Sequence, residues 1–409
     1  MLPALLLAVA HMIGPGVIST PDDEFGGAIT ADGQTIFFNR SVPRSYAYYI
    51  CVAHKTKGGW SKPEVAPFSG QWRDADPMLS LDGKRLYFVS DRPIDSNPKH
   101  DFDIWYVEKT AAGWSEPRNL GPPINGDQNE YFVSEAADGT LYFTAIRSGN
   151  LGSIDVWRAR RGSDRQYAAP ENLGPIINGA GITNLEALIA PDQSFLILGS
   201  FGRERDPGDS NLYVSEWRDG QWTKPRALSS DVNTTAREYS PRFSPDGKSL
   251  IFASERGIPT EKRDKRWTYD EIVRRSASIE NGLGNIYEIP LAHEGLPNIA
   301  DTLLPGPMPE GRFVVAGGHR LYYYRDGHGP VVLFLHGFGG NGTNWSAQFP
   351  ALRSKYTVIA LDELGFGKSA KPHIEYDSDL LAESVVQFLD ALHIQRATLV
   401  GASMGGHVA

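Results

Sequence analysis

The sequence is poor in cysteine and in long apolar runs. Cys51 is the only cysteine among 409 residues, so no disulfide can form within the chain, and the redox compartment stays open. No segment approaches the roughly 20 apolar residues that a membrane-spanning helix needs. We therefore predict no transmembrane segment.

Basic residues are also fewer than acidic ones. The chain has 40 lysines and arginines against 49 aspartates and glutamates, which gives a formal net charge of −9. Nucleic-acid-binding proteins usually present a basic face, so we predict no nucleic-acid partner. By contrast, glycine (43) and proline (28) are abundant, as many tight turns between short strands would require.

The N-terminal segment, residues 1–12, is short and apolar. Its first ten residues read MLPALLLAVA, similar to a signal-peptide core, but they lack a positive n-region and are shorter than a typical signal. A clipped signal peptide, a misplaced start and an edge strand all stay open. A signal peptide would make the protein periplasmic or secreted, and otherwise we expect it in the cytoplasm.

Five segments between residues 24 and 290 share one pattern. Each has a polar turn containing an aspartate, usually followed by glycine, and then an alternating apolar strand, as Asp-Gly hairpins have. The turn aspartates recur at intervals of 50 to 56 residues. They are Asp32, Asp82, Asp138, Asp192 and Asp246. A period of this size indicates a repeat architecture.

Each repeat contains three strand signals, and in three repeats a short fourth strand begins at a tryptophan (Trp60, Trp114 and Trp222). Four strands in a repeat of about 50 residues are typical of a β-propeller blade. We predict five blades, each a four-stranded antiparallel sheet. The fifth repeat lacks its tryptophan strand, so we expect Leu5–His11 to pair with Asn285–Ile289 and close the ring.

The repeats resemble the WD40-like propeller repeats of the TolB type, also called PD40 repeats. Their signature is SPDG followed by LxFxSxR, and residues 243–256 read FSPDGKSLIFASER. The other four repeats match in part. Propellers of this type often have six blades, so a count of five or six stays open.

Acids and arginines also recur within the repeats. An acid stands eight residues before the turn aspartate in four repeats, Glu186 stands six before it in the fourth, and an arginine follows every turn. The four acids are Glu24, Asp74, Glu130 and Glu238. They could form a ring at the channel mouth that binds a cation or basic ligand, or ion pairs repeated by symmetry. We predict that Glu24, Glu130 and Glu238 pair with arginines.

The pattern changes after residue 295. Residues 296–310 are a proline-rich linker, and strands then alternate with helical stretches, which favours a βαβ architecture. Val331–Leu335 is a continuous apolar run, as expected of a strand buried on both faces. The predicted organisation is a signal-like or edge-strand segment (1–12), a propeller (13–295), the linker (296–310) and a mostly parallel α/β domain (311–409).

A nucleophile motif follows the last predicted strand. Gly401-Ala402-Ser403-Met404-Gly405 has the G-x-S-x-G pattern in a strand–turn–helix context. The positions that flank Ser403 must be small because the turn is tight, and Gly401 and Gly405 meet this need. The helix that begins at Met404 directs its positive end toward the serine.

Two upstream motifs accompany this one. His336-Gly337-Phe338 follows Val331–Leu335, and residues 362–369 read DELGFGKS after the next strand. In this order and spacing the three motifs resemble the first half of an α/β-hydrolase. The resemblance implies Ser403 as nucleophile and the amides of Phe338 and Met404 as oxyanion donors, with His336, Gly337, Gly401 and Gly405 supporting the motifs.

The resemblance also implies acyl transfer on a small ester-like or carbonyl substrate by a Ser–acid–His triad, without a metal or organic cofactor. A serine at the centre of the G-x-S-x-G turn disfavours haloalkane dehalogenases and epoxide hydrolases, which use aspartate at that position. The acid and histidine should follow the serine, and the sequence ends at Ala409. None of His336, His373, His393 and His407 fits the base, so we expect the chain as given to be inactive.

An alternative from another class stays open. The chain could be a binding protein that holds an unknown ligand or protein at the channel face of the propeller, with an inert hydrolase portion. A reading frame that continues past Ala409 and supplies an acid and then a histidine would favour the enzyme.

Overall fold

The structure is a computed structural model that describes residues 10–42, 45–94, 101–162, 166–203, 210–257, 265–299, 309, 311–346, 348–353 and 356–409. The chain divides into two compact units, Met1–Ala300 and Asp301–Ala409. Most of the predicted linker (296–310) lies outside the described residues, so the domain boundaries stay predictions.

Five antiparallel sheets form the five blades of a propeller-like arrangement in the first unit, as the repeats predicted. The predicted count of four strands is wrong for three blades, which have five, because two short strands pair with the third strand where one fourth strand was expected. The first described strand is β1 (His11–Met12). Blade 1 contains β2 (Asp23–Ile29), β3 (Thr35–Val42), β4 (Ala47–Thr56), β5 (Gly59–Trp60) and β6 (Glu64–Val65). Blade 2 contains β7 (Asp74–Leu79), β8 (Arg85–Ser90), β9 (Asp103–Thr110), β10 (Gly113–Trp114) and β11 (Arg118–Asn119).

The remaining three blades repeat this order. Blade 3 contains β12 (Glu130–Glu135), β13 (Leu141–Ala145), β14 (Asp155–Ala159) and β15 (Glu171–Asn172). Blade 4 contains β16 (Thr183–Ile189), β17 (Phe195–Phe201), β18 (Asn211–Arg218), β19 (Gln221–Trp222) and β20 (Arg226–Ala227). Blade 5 contains β21 (Glu238–Phe243), β22 (Ser249–Ser254) and β23 (Asn285–Pro290), and β1 completes it.

The N-terminal segment closes the last blade. His11 lies opposite Glu288 and Met12 opposite Tyr287 in an antiparallel pair. The predicted partner strand was therefore right, although the pairing begins at the end of the predicted segment, and residues 5–9 lie outside the described residues. The first strand of each blade contacts the first strands of other blades, which makes β2, β7, β12, β16 and β21 the inner strands around the channel.

The repeated aspartates hold their turns through side-chain hydrogen bonds. Each carboxylate oxygen accepts from the backbone amide two residues later, at Gln34, Lys84, Thr140, Ser194 and Lys248. The residue between adopts a positive φ, which is unstrained for Gly33 (φ +69°) and requires Gln193 (φ +59°) to take the left-handed conformation in blade 4. The recurrence of aspartate and glycine thus follows from one turn geometry.

The repeated acids are buried and three of them pair with the arginine of their own blade. Arg40 lies 2.9 Å from Glu24, Arg92 lies 2.6 Å from Asp74, and Arg147 lies 2.9 Å from Glu130. The prediction is confirmed for Glu24 and Glu130. Removing one partner of such a pair would leave a buried charge uncompensated, at a cost of about 3–5 kcal/mol.

The prediction is wrong for Glu238. Its carboxylate accepts from Thr234 and Ser254, while Arg256 donates to the carbonyls of Asp231 and Val232. The hydroxyl groups of Thr234 and Ser254 and the Thr234 amide therefore donate hydrogen bonds to Glu238, whereas an arginine pairs with the acid of blades 1, 2 and 3. In blade 4 the equivalent position is Asn184, whose side-chain oxygen accepts from Arg203 at 2.8 Å.

Every inner strand also carries a β-bulge, which begins one residue after this position in blade 4 and two residues after it in the other blades. The register shifts lie at Phe25/Ala28, Ala75/Met78, Tyr131/Val133, Asn184/Glu186 and Tyr239/Arg242. A bulge redirects the side chains that follow it. Two bulge residues, Asp76 (φ +53°) and Ser240 (φ +49°), take the left-handed conformation, and the Ser240 hydroxyl donates to Asp76 at 2.9 Å.

An insertion in blade 5 contains the helix α1 (Tyr269–Ser276), which has no buried residue. Thr268 caps its first turn and Glu271 completes the capping box. A 3-10 turn, Leu291–Glu294, follows β23.

The second unit is an α/β sheet. Its strands are β24 (Arg312–Ala316), β25 (His319–Gly327), β26 (Val331–Leu335), β27 (Thr357–Asp362) and β28 (Ala397–Gly401). The helices are α2 (Gln348–Leu352), α3 (Ser378–Ala391) and α4 (Met404–Val408), and Gly342–Trp345 is a 3-10 turn. The spatial order is β24-β25-β27-β26-β28, with parallel pairing from β27 to β28 and an antiparallel hairpin at the other edge.

Both faces of the central strands are covered, which is why they read as continuous apolar runs. On one face Leu333 and Leu335 pack in a cluster with Leu381 and Phe388 of α3. On the other face the cluster around Phe334 includes five further buried residues of the strands and Phe349 of α2. Among the described residues, β28 pairs with β26 alone.

Among the described residues, no helix has the length and apolarity to cross a bilayer.

Candidate active site

Ser403 stands in the sharp turn between β28 and α4. Its backbone has φ +51° and ψ −113°, a conformation that costs a non-glycine residue on the order of 1–3 kcal/mol. The side chain is exposed at the carboxyl end of the parallel strands. This is the strand–turn–helix geometry that presents a nucleophilic serine at the edge of an α/β sheet.

The glycines that flank the serine are required by backbone contacts. A β-carbon at Gly401 would lie 2.0 Å from the carbonyl oxygen of Gly405, and one at Gly405 would lie 2.4 Å from the carbonyl oxygen of Leu335. Neither separation is possible for real atoms. The turn therefore has room for glycine alone at both positions.

The turn after β26 is held against the serine turn. The Ala402 amide donates to the Leu335 carbonyl at 3.1 Å, and the Gly405 amide donates to the His336 carbonyl at 3.1 Å. A β-carbon at Gly337 would lie 3.4 Å from the Cβ of Ser403, so the loop passes directly beside the serine. The structure thus brings together the two motifs that lie more than 60 residues apart in the sequence.

Two backbone amides of this region are available for a ligand. Within the described residues, the amides of Phe338 and Met404 donate no hydrogen bond to another protein group. Phe338 lies one residue beyond Gly337, and Met404 follows Ser403 directly. The Phe338 side chain is largely exposed, with its ring centroid 5.7 Å from that of Phe366.

His336 is fully buried and shapes the loop. Its Nε2 accepts from the Glu363 amide at 3.2 Å, so the ring proton belongs on Nδ1, which lies 2.8 Å from the Gly337 carbonyl. Burial lowers the pKa of His336 below its usual value, which keeps the ring neutral. Both ring nitrogens are engaged with backbone, so His336 braces the turn.

Glu363 is a buried acid that the sequence analysis did not single out. Its side chain is 1% exposed, and neither carboxylate oxygen has a hydrogen-bond partner among the described residues. Burial raises its pKa to about 7. Its Oε2 lies 3.6 Å from the Nδ1 of His336. In the sequence, the only feature that could have pointed to Glu363 is its position directly after the buried strand β27. Asp362, the last residue of β27, stands next to it, so the position does not distinguish the two acids.

Asp362 is a structural brace for the loop that follows β27. One carboxylate oxygen accepts from the Gly342 amide at 2.6 Å and the other from the Lys368 amide at 2.7 Å. Ser369 donates to its backbone carbonyl and also accepts from the Tyr322 amide. The order of acid, glycine and serine in DELGFGKS is thus explained by one network of hydrogen bonds.

No histidine, aspartate or glutamate lies beside Ser403 as a base in the described part of the chain. No hydrogen bond joins the Ser403 hydroxyl to a histidine, aspartate or glutamate there. His407 is exposed on α4, with Nδ1 3.3 Å from the Ser403 carbonyl, and His373 and His393 are exposed in other loops. The described residues also contain no group of three or more His, Cys, Asp or Glu side chains that could hold a metal.

Comparison with known proteins gives matches for this region of the chain. Residues 330–409, which include the whole candidate site, match a family model described as the alpha/beta hydrolase fold. A 101-residue stretch is 40% identical to an uncharacterized protein of Mycobacterium tuberculosis (strain ATCC 25618 / H37Rv), covering 25% of this chain and 30% of that protein.

Several other relatives carry functional names. A 100-residue stretch is 44% identical to 2-hydroxy-6-oxo-6-(2'-aminophenyl)hexa-2,4-dienoic acid hydrolase of Metapseudomonas resinovorans, covering 23% of this chain and 34% of that enzyme. A 105-residue stretch is 35% identical to bifunctional epoxide hydrolase 2 of Sus scrofa, covering 25% of this chain and 19% of that enzyme. The chain spans about a third or less of the length of these relatives. The similarity supports a hydrolase.

Proposed function

We propose that this chain carries the nucleophile half of a serine hydrolase that cleaves ester or carbon–carbon bonds by acyl transfer. Ser403 is the nucleophile, and the amides of Phe338 and Met404 bind the oxyanion. The observation that carries the proposal is the strained backbone of Ser403, held between two glycines and against the turn at His336. Backbone strain of this kind concentrates at functional sites.

The chemistry follows from this arrangement. The Ser403 oxygen attacks a substrate carbonyl carbon, the carbonyl π bond breaks, and the negative charge that develops on the carbonyl oxygen is stabilised by the two free amides. The serine proton must pass to a base and from there to the leaving group. No such base lies beside Ser403 among the described residues. The resemblance to α/β-hydrolases implies that an acid and a histidine follow the serine.

The serine at position 403 narrows the range of reactions that the proposed site could catalyse. Epoxide hydrolases of this fold use an aspartate where this chain has Ser403, so the similarity to the epoxide hydrolase concerns the fold of the half-domain. A serine nucleophile favours a small-molecule substrate with an ester or ketone carbonyl, and the match to the dienoic acid hydrolase agrees with this.

For the first unit we propose a TolB-type propeller that acts as a binding domain through its channel face. The recurring aspartate turns and the acid–arginine pairs support this assignment. A second candidate function is a binding protein with an inert hydrolase portion, and the lack of a base beside Ser403 in the described residues favours it.

Hydrolysis of p-nitrophenyl acetate separates the two candidates. In the natural protein, including any residues that follow Ala409, Ser403→Ala should lower the rate of p-nitrophenyl acetate hydrolysis by about 10⁴-fold or more. A triad without its nucleophile keeps only residual catalysis. The 409-residue polypeptide and its Ser403→Ala variant should show equal, negligible rates.

Ser378→Ala, which changes an exposed serine at the start of α3, is the matched control and should leave the rate unchanged. Full activity of the Ser403→Ala variant would contradict the proposed nucleophile. Negligible activity of the natural protein with every ester tested would favour the binding protein.

A further inference from the structure

The peptide group between Gly337 and Phe338 carries one of the two proposed oxyanion donors. This peptide bond is trans, so its carbonyl and its amide point in opposite directions. The Gly337 carbonyl accepts from the Nδ1 of His336 at 2.8 Å and from the Gly340 amide at 2.9 Å. The direction of the Phe338 amide is therefore fixed by the two donors that hold the carbonyl of the same peptide group.

Glu363 stands beside one of these two donors. Its Oε2 lies 3.6 Å from the Nδ1 of His336, a separation that is too long for a hydrogen bond. The side chain of Glu363 is buried, and neither of its carboxyl oxygens has a hydrogen-bond partner among the described residues. The single proton on Nδ1 thus has two acceptors nearby, the Gly337 carbonyl and the Glu363 carboxyl group.

The charge of Glu363 decides between these two acceptors. Burial raises the pKa of Glu363 to about 7, although the backbone amide of His336 faces the carboxyl group and favours the carboxylate. Below this pH the carboxyl group is neutral and competes weakly for the Nδ1 proton. Above it the carboxylate is the stronger acceptor, because hydrogen bonds to an ionised group are roughly twice as strong as those between neutral groups.

Among the described residues, Asp362 is the other charged group that acts on this pair. Burial lowers the pKa of His336, and the Gly337 carbonyl and the Asp362 carboxylate oppose this only in part. The ring is therefore neutral, with Nε2 accepting from the Glu363 amide and its one proton on Nδ1. The ring of Phe366 packs edge-on against His336 at a centroid distance of 5.4 Å and carries no charge. Ionisation of Glu363 is thus the event near neutral pH that changes the surroundings of the Nδ1 proton.

We propose that Glu363 is a positioning residue for the oxyanion site, which it controls through His336. As the neutral acid, Glu363 leaves Nδ1–H bonded to the Gly337 carbonyl, and the Phe338 amide keeps its direction. As the carboxylate, it draws the Nδ1 proton away, and the Gly340 amide alone then holds the carbonyl. The proton that Glu363 loses passes to solvent. The inference rests on the proposed hydrolase function and adds a residue that acts through another side chain.

A kinetic test compares Glu363→Gln with the natural protein, including any residues that follow Ala409, in hydrolysis of p-nitrophenyl acetate. Glutamine has nearly the shape of the protonated acid and cannot ionise. The ratio of kcat between variant and natural protein should be near one at pH 5.5 and rise to about tenfold at pH 8.5, less than the roughly 10²–10³ that loss of an oxyanion donor costs. KM should change little, because the oxyanion forms in the transition state.

The ratio isolates Glu363 because every other titrating group is shared by the two proteins. Glu375→Gln makes the same chemical change at an exposed residue of the same unit, and its ratio should stay near one at every pH. A packing role alone would change stability with pH and leave kcat of the folded enzyme unchanged. A Glu363→Gln ratio that is constant with pH, or that falls as pH rises, would overturn the proposal.

Nuclear magnetic resonance of the 409-residue chain with isotope-labelled histidine tests the contact without activity. His336 is the buried histidine of the described residues, so its ring proton exchanges slowly and is distinguished from those of exposed rings. The Nδ1–H signal should move downfield with a midpoint near pH 7, because a carboxylate replaces a carbonyl as its acceptor. Glu363→Gln should abolish this shift. A signal in the natural sequence that does not move between pH 5.5 and pH 8.5 would overturn the proposal.

The two measurements separate failure of this inference from failure of the proposed function. Ser403-dependent hydrolysis together with a static His336 signal would keep the hydrolase and refute the role of Glu363. A pH-dependent His336 signal in a natural protein without Ser403-dependent hydrolysis would refute the hydrolase and, with it, the positioning role.

Discussion

Replacing Glu186 with glutamine should stabilise the propeller by about 4 kcal/mol at pH 8.5 and by only about 1 kcal/mol at pH 5. The pKa of this buried carboxyl is raised to about 8, against 4.5 for the free group. Each pKa unit corresponds to about 1.4 kcal/mol of difference between the two protonation states. Glutamine is a neutral mimic of the protonated acid and so avoids the ionisation.

The direction follows from proton counts. Between pH 4.5 and about 8 the folded chain keeps the Glu186 proton and the unfolded chain has lost it, so the folded state binds more protons. Stability therefore falls as pH rises through this window. Glu130 and Glu363, whose pKa values burial raises to about 7, act in the same direction, so the natural chain should be more stable at pH 5.5 than at pH 8.

Urea unfolding at pH 5, 7 and 8.5 measures the effect as a difference between the natural chain and the Glu186→Gln variant. The difference should grow with pH, whereas Glu64→Gln should give a small difference at every pH because its side chain is exposed. A difference that is constant with pH would mean that Glu186 is ionised throughout, with Arg237 and Arg242 compensating its charge.

Much of the fold was predictable because local chemistry repeats. Aspartate marks all five turns and glycine follows it in four, since one hydrogen-bond pattern builds all five, and alternating apolar residues mark the second strands. The closure by the N-terminal segment followed from the missing strand of the fifth repeat. In the second unit the apolar runs of β26 and β27 were recognisable because both faces are buried.

The features that the sequence did not reveal depend on tertiary contacts. No single residue type occurs at the bulge of every inner strand, since Gly26, Asp76 and Ser240 occupy it in three blades. The pairing of Glu238 failed because hydroxyl groups replaced the arginine. Glu363 was overlooked because Asp362 stands beside it at the end of the same strand. Asp362 accepts two backbone hydrogen bonds, whereas the Glu363 carboxylate has no partner among the described residues.

The candidate site shows the same division. The motifs located Ser403, Phe338 and Met404, since the glycines of a tight turn are visible in sequence. The tautomer and burial of His336 were not visible, because they depend on the backbone amide of Glu363 and on residues packed around it.

The last prediction concerns two adjacent glycines of the turn at Ser403, for which the structure predicts opposite effects of alanine. Gly405→Ala places a β-carbon 2.4 Å from the Leu335 carbonyl oxygen, and that oxygen belongs to a central strand that cannot move alone. Gly406→Ala places its β-carbon 3.5 Å from the nearest atom, the Gly401 carbonyl oxygen, which is an ordinary contact. The chemical change is identical and the two residues are adjacent.

We expect Gly405→Ala to destabilise the α/β unit by about 3 kcal/mol or more, because overpacking against backbone displaces β26 from β28. Gly406→Ala should be neutral or stabilising by a few tenths of a kcal/mol, since alanine has the higher helix propensity and no contact opposes it. Any Ser403-dependent activity of the natural protein should be lost in the first variant and kept in the second.

Hydrogen exchange resolves the effect locally, which whole-chain unfolding cannot do in a two-unit protein. Amides of β26, β27 and β28 should exchange about 100-fold faster in Gly405→Ala than in Gly406→Ala, while propeller peptides serve as the internal standard and exchange alike in both. Equal protection of the three strands in the two variants would mean that the turn at Ser403 can widen. The requirement for glycine at Gly405, and with it the close contact between the serine turn and the His336 turn, would then be wrong.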